Sequence, residues 1–103
     1  MGISVGIDLG TSNSVVAVLD EDGPRVLRDS EGRNLQPSVV GFGGGRPLVV
    51  GHDAKEQMPL APDATVASAK RLIGRRFSDP ETQRLRGQVG WTVFEGEAGD
   101  ARI

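Results

Sequence analysis

The sequence predicts an α/β protein with a mixed sheet and short helices, in which a β-meander comes first and the helices follow. Over the first fifty residues, short runs rich in Val, Ile and Leu alternate with clusters of Gly, Pro, Asp and Ser. That pattern is typical of antiparallel strands joined by tight turns. From Gly51 onward, apolar residues recur at helical spacing between residues that begin or end helices. Strands first and helices second therefore define the predicted fold class.

The predicted meander consists of short strands separated by turns. In the first strand, residues 3–9, Val5, Ile7 and Leu9 share one face and alternate with small or polar residues. Residues 14–19 are β-branched or apolar on both faces, which indicates a buried strand. The other predicted strands span residues 25–28, 38–42 and 47–50. The predicted turns lie at residues 10–13, 20–24, 29–33 and 43–45.

Helices are predicted after this meander, at residues 53–58, 65–73 and 79–86. Pro59 ends the first of them, and Gly74 is expected to cap the second. The third begins with Asp79 as its N-cap and Pro80 at its first helical position.

A strand pattern returns at residues 89–93, where Trp91 is expected in the core. A turn at 95–100 leads to a final strand that is cut at Ile103. Because that strand is unfinished, residues 1–103 are expected to be the N-terminal part of a larger domain, whose other segments cover the open sheet.

Composition excludes several classes of protein. Lys and Arg number 12 against 14 for Asp and Glu, so the net charge of −2 does not fit a strongly basic nucleic-acid binder. The lack of cysteine and the single histidine exclude disulfide scaffolds, thiol catalysis and multi-histidine metal sites. No long apolar run or signal peptide is visible. We therefore expect a cytoplasmic protein whose partners include neither nucleic acid nor membrane.

The strongest candidate site is the run Asp-Leu-Gly-Thr-Ser-Asn from Asp8 to Asn13. Gly10 lets the backbone come close to a ligand, and the N–H groups and hydroxyls of Thr11 and Ser12 are donors suited to phosphate. Asp8, at a strand end, is suited to hold Mg²⁺ beside a bound phosphate, usually through water. The sequence contains no Walker A motif. A plain hairpin turn with a surface Asp8 fits the same residues equally well.

Lys70 is the second candidate. Its spacing from Val66 and Ile73 places it beside the apolar stripe of the predicted helix 65–73. An ammonium group there either extends to water or points into a cleft, and spacing alone favours water. A solvated basic face is the interpretation for the neighbouring arginines, Arg71, Arg75 and Arg76.

The residues from Gly6 to Ser14 resemble the opening motif of the Hsp70 (DnaK-type) chaperones. Other segments match that family in the same order, namely Pro37-Ser38, Val50-Gly51, Ala54-Lys55 and Lys70–Phe77. The opening motif also fits sugar kinases and other actin-like ATPases, whereas the segment from Lys70 is far more specific to Hsp70. The resemblance covers about residues 3–94. It implies a partial actin-like ATPase (ribonuclease H-like) fold.

The resemblance also implies roles for the candidate residues. In the family, the residue that matches Asp8 lies near the Mg²⁺ shell. The residues that surround the β- and γ-phosphates match Gly10, Thr11, Ser12 and Asn13. The residue that matches Lys70 lies by the γ-phosphate and helps to place the attacking water. The resemblance therefore implies that the Lys70 ammonium group points into a cleft and not to bulk water. ATP or ADP with Mg²⁺ is the implied cofactor.

The chain departs from the family pattern at a few positions. Ser12 and Gln36 stand where Thr is usual, and Ala64 stands where Asn is usual. Ser12 keeps the hydroxyl group of the usual Thr. We therefore expect these departures to affect the range of clients more than the nucleotide site.

An ATP-driven chaperone of protein folding and the stress response is the implied function of the complete protein. Hydrolysis of ATP to ADP and phosphate would switch its grip on unfolded polypeptides, with a J-domain protein and a nucleotide exchange factor as co-chaperones. Phosphoryl transfer needs groups from several segments, so residues 1–103 alone are expected to be inactive. Two alternatives stay open: a fragment of a sugar kinase with this fold, and a non-catalytic interaction module.

Overall fold

The computed structural model describes residues 2–43, 45 and 47–103. Its strands are β1 Ser4–Leu9, β2 Asn13–Asp20, β3 Gly23–Val26, β4 Gln36–Pro37, β5 Val39–Gly41, β6 Val49–Val50, β7 Thr65–Ala67, β8 Phe94–Glu95 and β9 Ala101–Arg102. Its α-helices are α1 His52–Gln57 and α2 Pro80–Arg86, and 3₁₀ helices span Pro62–Ala64 and Ala69–Leu72. The predicted order of a strand-rich part before the helices is confirmed.

The first sheet is built around β2, which pairs with β1, β3 and β4 in antiparallel fashion. Within the described residues β1 pairs only with β2, and its side chains Val5, Ile7 and Leu9 are 57%, 67% and 62% exposed. The prediction of a buried second strand is wrong, because β2 is only half-buried. One face of this sheet lacks cover from the described part of the chain. The predicted third strand, 25–28, is shifted by two residues, since β3 begins at Gly23 and ends at Val26.

The second sheet has the order β6-β5-β7, and α1 packs beside it. Val39 in β5 and Ala54 in α1 are buried. The predicted strand 38–42 is divided, because the chain bends at Ser38 between β4 and β5. The predicted hairpin after it is confirmed by the pairing of β5 with β6, although Gly44 of its turn and the neighbouring Arg46 lie outside the described residues.

The predicted helix 65–73 is wrong. Thr65 and Val66 belong to β7, which pairs with β5. Ser68 then adopts a left-handed conformation, with φ of 62°, before the 3₁₀ helix Ala69–Leu72 begins. β-branched side chains favour strands, and the open edge of β5 satisfies the backbone of β7. Pairing with a distant strand therefore overrides the local helical spacing.

The hydrophobic core lies in the C-terminal half of the chain. Its buried members are Val66, Leu72, Leu85, Trp91 and Val93. The core position predicted for Trp91 is confirmed, since 5% of this residue is exposed. The predicted strand 89–93 is wrong, because this segment bends at Gly90 and Trp91 and forms no strand, and the hairpin of β8 and β9 follows it.

Helix α2 closes this core, and its ends are those that the sequence predicts. The Asp79 carboxylate accepts a hydrogen bond of 2.9 Å from the N–H group of Glu81, Pro80 occupies the first turn, and the helix ends before Gly87. Among the described residues, no helix has the length and apolar character needed to cross a bilayer.

The molecule is elongated, with extents of 49 × 29 × 21 Å. Its radius of gyration is 16.4 Å. A compact chain of this length has a radius of gyration of about 13 Å. The exposed face of β1 and the elongated shape have the same cause, since the first sheet is not packed into the C-terminal core.

Candidate functional site

The turn between β1 and β2, residues 10–12, is the centre of the candidate site. A Cβ atom at Gly10 would collide with the backbone carbonyl oxygen of Asn13, so only glycine fits the turn as it is folded. Thr11 and Ser12 are exposed. Within the described part of the chain, their N–H groups donate to no protein acceptor. The turn therefore offers unpaired donors at the surface.

Ser38 supports this turn from the bend between β4 and β5. Its hydroxyl donates to the carbonyl oxygen of Gly10 at 2.7 Å, and its N–H group donates to the carbonyl oxygen of Ser12 at 2.9 Å. A further contact of 2.9 Å joins the hydroxyls of Ser38 and Ser14. Sequence analysis gave Ser38 no chemical role. The position of Ser38 directly after β4 could have indicated a role, but the pairing of β4 with β2 is known only from the fold.

Lys70 lies against the same end of β1, although it is far from the turn in sequence. Its ammonium group donates to the carbonyl oxygen of Leu9 at 2.6 Å, directly before Gly10. The side chain is exposed and belongs to the 3₁₀ helix, so the predicted place beside a helical stripe is wrong. The left-handed Ser68 turns the chain after β7 and starts this 3₁₀ helix. The structure thus brings the only lysine of the predicted site to the turn.

Asp8 and Asn13 lie on the two strands that flank the turn. Asp8 is the penultimate residue of β1 and is exposed, and Asn13 is the first residue of β2, in register with Pro37 of β4. The described residues contain no group of three acidic, histidine or cysteine side chains that could hold a metal ion. Asp8 therefore needs water, a ligand or residues elsewhere to complete a Mg²⁺ shell, and its metal role stays a prediction.

Asp29 organises the segment that leads to β4. Its carboxylate accepts hydrogen bonds from the N–H groups of Glu31 and Arg33, from the Arg33 guanidinium and from the Gln36 side-chain amide, at 2.7–2.9 Å. These donors, the backbone N–H group of Arg33 foremost, hold the pKa of Asp29 well below its usual range. Ser38 follows Gln36 closely, so this carboxylate helps to fix the segment that supports the turn.

Acid is expected to destabilise this segment through Asp29. Since the pKa of Asp29 is lower in the folded state, its stabilisation is complete above the unfolded value of about 3.9 and is lost as pH falls through the folded-state value. Asp29→Asn keeps an acceptor oxygen but does not titrate. Urea unfolding of the complete protein at about pH 5 and about pH 3 should show a smaller loss of stability for Asp29→Asn than for the wild type. Equal losses would contradict this role.

The assembled groups suit an anionic ligand. The turn supplies unpaired N–H groups and exposed hydroxyls at Thr11 and Ser12, and Lys70 supplies a positive charge beside them. Such donors bind phosphate oxygens, and glycine at position 10 keeps the backbone accessible. These residues fit the phosphates of a nucleotide, while nothing in the described part of the chain resembles a complete catalytic centre.

Comparison with known proteins assigns the chain to a family. Its several antiparallel sheets with few, short helices confirm the predicted α/β class and agree with part of an actin-like ATPase fold. The family described as "Hsp70 protein" matches residues 4–103. The chain is 47% identical over 99 residues to the "Heat shock 70 kDa protein, mitochondrial" of Solanum tuberosum. It therefore belongs to the Hsp70 family. The match covers 96% of this chain and 14% of that relative.

Proposed function

We propose that residues 1–103 form the first part of the nucleotide-binding domain of an Hsp70-type chaperone, and that they hold the phosphates of ATP. The observation that carries the proposal is the contact of Lys70 with the carbonyl oxygen of Leu9. It places a cation beside a turn of unpaired donors, from a segment 61 residues further along the chain. Membership of the Hsp70 family supports ATP as the ligand.

Each candidate residue has a role in this proposal. The backbone at Gly10 and the N–H groups and hydroxyls of Thr11 and Ser12 bind phosphate oxygens, with Asn13 completing the turn. Lys70 releases its contact with Leu9 and orients the water that attacks the terminal phosphate. Phosphoryl transfer depends on positioning and charge neutralisation, so these groups act together with residues of the rest of the protein.

Asp8 would hold Mg²⁺ through water at the end of β1. The bound ion would neutralise phosphate charge, which protein groups alone do incompletely. The complete protein would hydrolyse ATP to ADP and phosphate, whereas residues 1–103 alone would be inactive. Its partners would be unfolded polypeptides, a J-domain protein and a nucleotide exchange factor. The cytoplasmic location stays a prediction.

The Hsp70 family assignment favours a chaperone over a sugar kinase of the same fold. A non-catalytic module would keep the sheets but would not need the turn donors together with Lys70. Hydrolysis of ATP by the complete protein would separate the Hsp70-type ATPase from the non-catalytic module.

Replacing both turn hydroxyls is expected to weaken ATP binding selectively. In the complete protein, the double variant Thr11→Val, Ser12→Val keeps the approximate shape and removes two donors to charged oxygens. We expect ATP affinity to fall by at least about 100-fold, because hydrogen bonds to charged groups contribute about 1.5–3 kcal/mol each. Adenosine, which lacks phosphates, should bind as before. Calorimetric titration of both ligands measures the difference.

The variant Ser12→Thr is the matched control, since it changes the side chain and keeps the hydroxyl. Its affinity for ATP should stay within about threefold of the wild type. Equal ATP affinity in the double valine variant and the wild type would refute the phosphate turn.

A further inference from the structure

Among the described residues, Ser38 alone donates hydrogen bonds to two carbonyl groups of the turn, those of Gly10 and Ser12. We propose that Ser38 is a positioning residue that holds the turn so that the N–H group of Thr11 faces the phosphate. This inference rests on the proposed function, because it concerns how the same turn is held ready for phosphate.

The planarity of the peptide bond links Ser38 to that N–H group. The described chain contains no cis peptide bond, so each carbonyl group points opposite to the N–H group of the following residue. The Gly10 carbonyl is fixed towards the Ser38 hydroxyl, and this directs the N–H group of Thr11 away from Ser38. The Ser12 carbonyl is fixed towards the Ser38 N–H group, so the far end of the turn is held by the same residue.

Ser38 can perform this role because its backbone is fixed by the paired strands on either side of it. It lies between β4, which pairs with β2, and β5, which pairs with β6 and β7. Glycine at position 10 has no side chain that could fix the turn locally, and any Cβ atom would collide with Asn13. The orientation of the turn therefore comes from a residue 28 positions away.

Hydrogen counting separates Ser38 from its neighbour Ser14. The Ser38 hydroxyl carries a single hydrogen, and a carbonyl oxygen can only accept, so that hydrogen goes to Gly10. In the contact between the two hydroxyls, Ser14 must therefore be the donor. Ser14 contacts Ser38 but neither carbonyl group of the turn, which makes Ser14→Ala a matched control.

The test compares ATP and adenosine binding by calorimetry in the complete protein. Ser38→Ala should weaken ATP binding about tenfold, since it removes the hydrogen bond that orients the turn, and should leave adenosine affinity within about twofold. Ser14→Ala should keep ATP affinity within about threefold. Ser38→Thr, which retains the hydroxyl, should restore ATP binding, whereas Ser38→Val, which has the same shape without it, should not.

The outcomes distinguish this inference from the function on which it rests. A wild-type protein that does not prefer ATP to adenosine would overturn the proposed function, and the role of Ser38 with it. A wild-type preference for ATP that Ser38→Ala retains in full would overturn the role of Ser38 alone. Equal losses of ATP and adenosine binding, with no difference between Ser38→Thr and Ser38→Val, would reduce Ser38 to a general structural residue and also overturn the inference.

Discussion

Lys70→Ala is expected to abolish ATP hydrolysis by the complete protein while ATP still binds. The ammonium group lies at the end of β1, beside the turn donors, and its loss removes a positioned charge from the transition state. Removing one such electrostatic donor costs about 3–4 kcal/mol, which is a loss of turnover on the order of 10²–10³-fold. Single-turnover hydrolysis and a parallel binding titration would separate the chemical step from binding.

Arg71→Ala is the control for this experiment. Arg71 is the next residue of the same 3₁₀ helix, is exposed and is also cationic. Its side chain makes no hydrogen bond or ion pair within the described part of the chain, and alanine keeps its backbone N–H bond to the Ser68 carbonyl, so the substitution should leave turnover unchanged. Near-normal turnover in Lys70→Ala would contradict the role of Lys70.

Leu85→Ala is expected to cause the largest loss of stability. Leu85 is 1% exposed, and it packs in the C-terminal core with Leu72 and Trp91. Truncation of a fully buried leucine removes its apolar contacts and leaves a cavity, at a cost of about 3 kcal/mol. Native-state hydrogen exchange of the amides in α2 should report this loss as a lower free energy of opening.

Gln88→Ala provides a matched control two residues beyond the end of the same helix. Gln88 is exposed, so its truncation should change the free energy of opening by less than about 0.5 kcal/mol. If Leu85→Ala changed the exchange of α2 no more than Gln88→Ala, the C-terminal core would not stabilise this helix.

Elements with local signals could be predicted from the sequence. Helix α2 carries its own start and end, with Asp79 as N-cap, Pro80 in the first turn and Gly87 after the last residue. The alternation of β1 and the turn at Gly10 are also local. For the same reason the phosphate turn could be proposed from its residues alone.

Elements that depend on distant partners could not be predicted in this way. The segment at Thr65 has helical spacing, yet it forms β7 because β5 offers an unpaired edge. The half-buried state of β2 likewise depends on what covers its sheet. In the site, spacing alone favoured a solvated Lys70, and only the family resemblance placed it near phosphate. Ser38 was missed because its two hydrogen bonds arise from a bend between strands of different sheets.

We propose that two distant segments, the turn at residues 10–12 and the 3₁₀ helix carrying Lys70, bind the phosphates of one nucleotide. A crystal structure of the complete protein with ATP or ADP and Mg²⁺ tests it most directly. We expect phosphate oxygens within hydrogen-bond distance of the N–H group of Thr11 and of the hydroxyl of Ser12, with the Lys70 ammonium group facing the terminal phosphate. Nucleotide phosphates bound away from this turn, with Lys70 still on the carbonyl oxygen of Leu9, would contradict it.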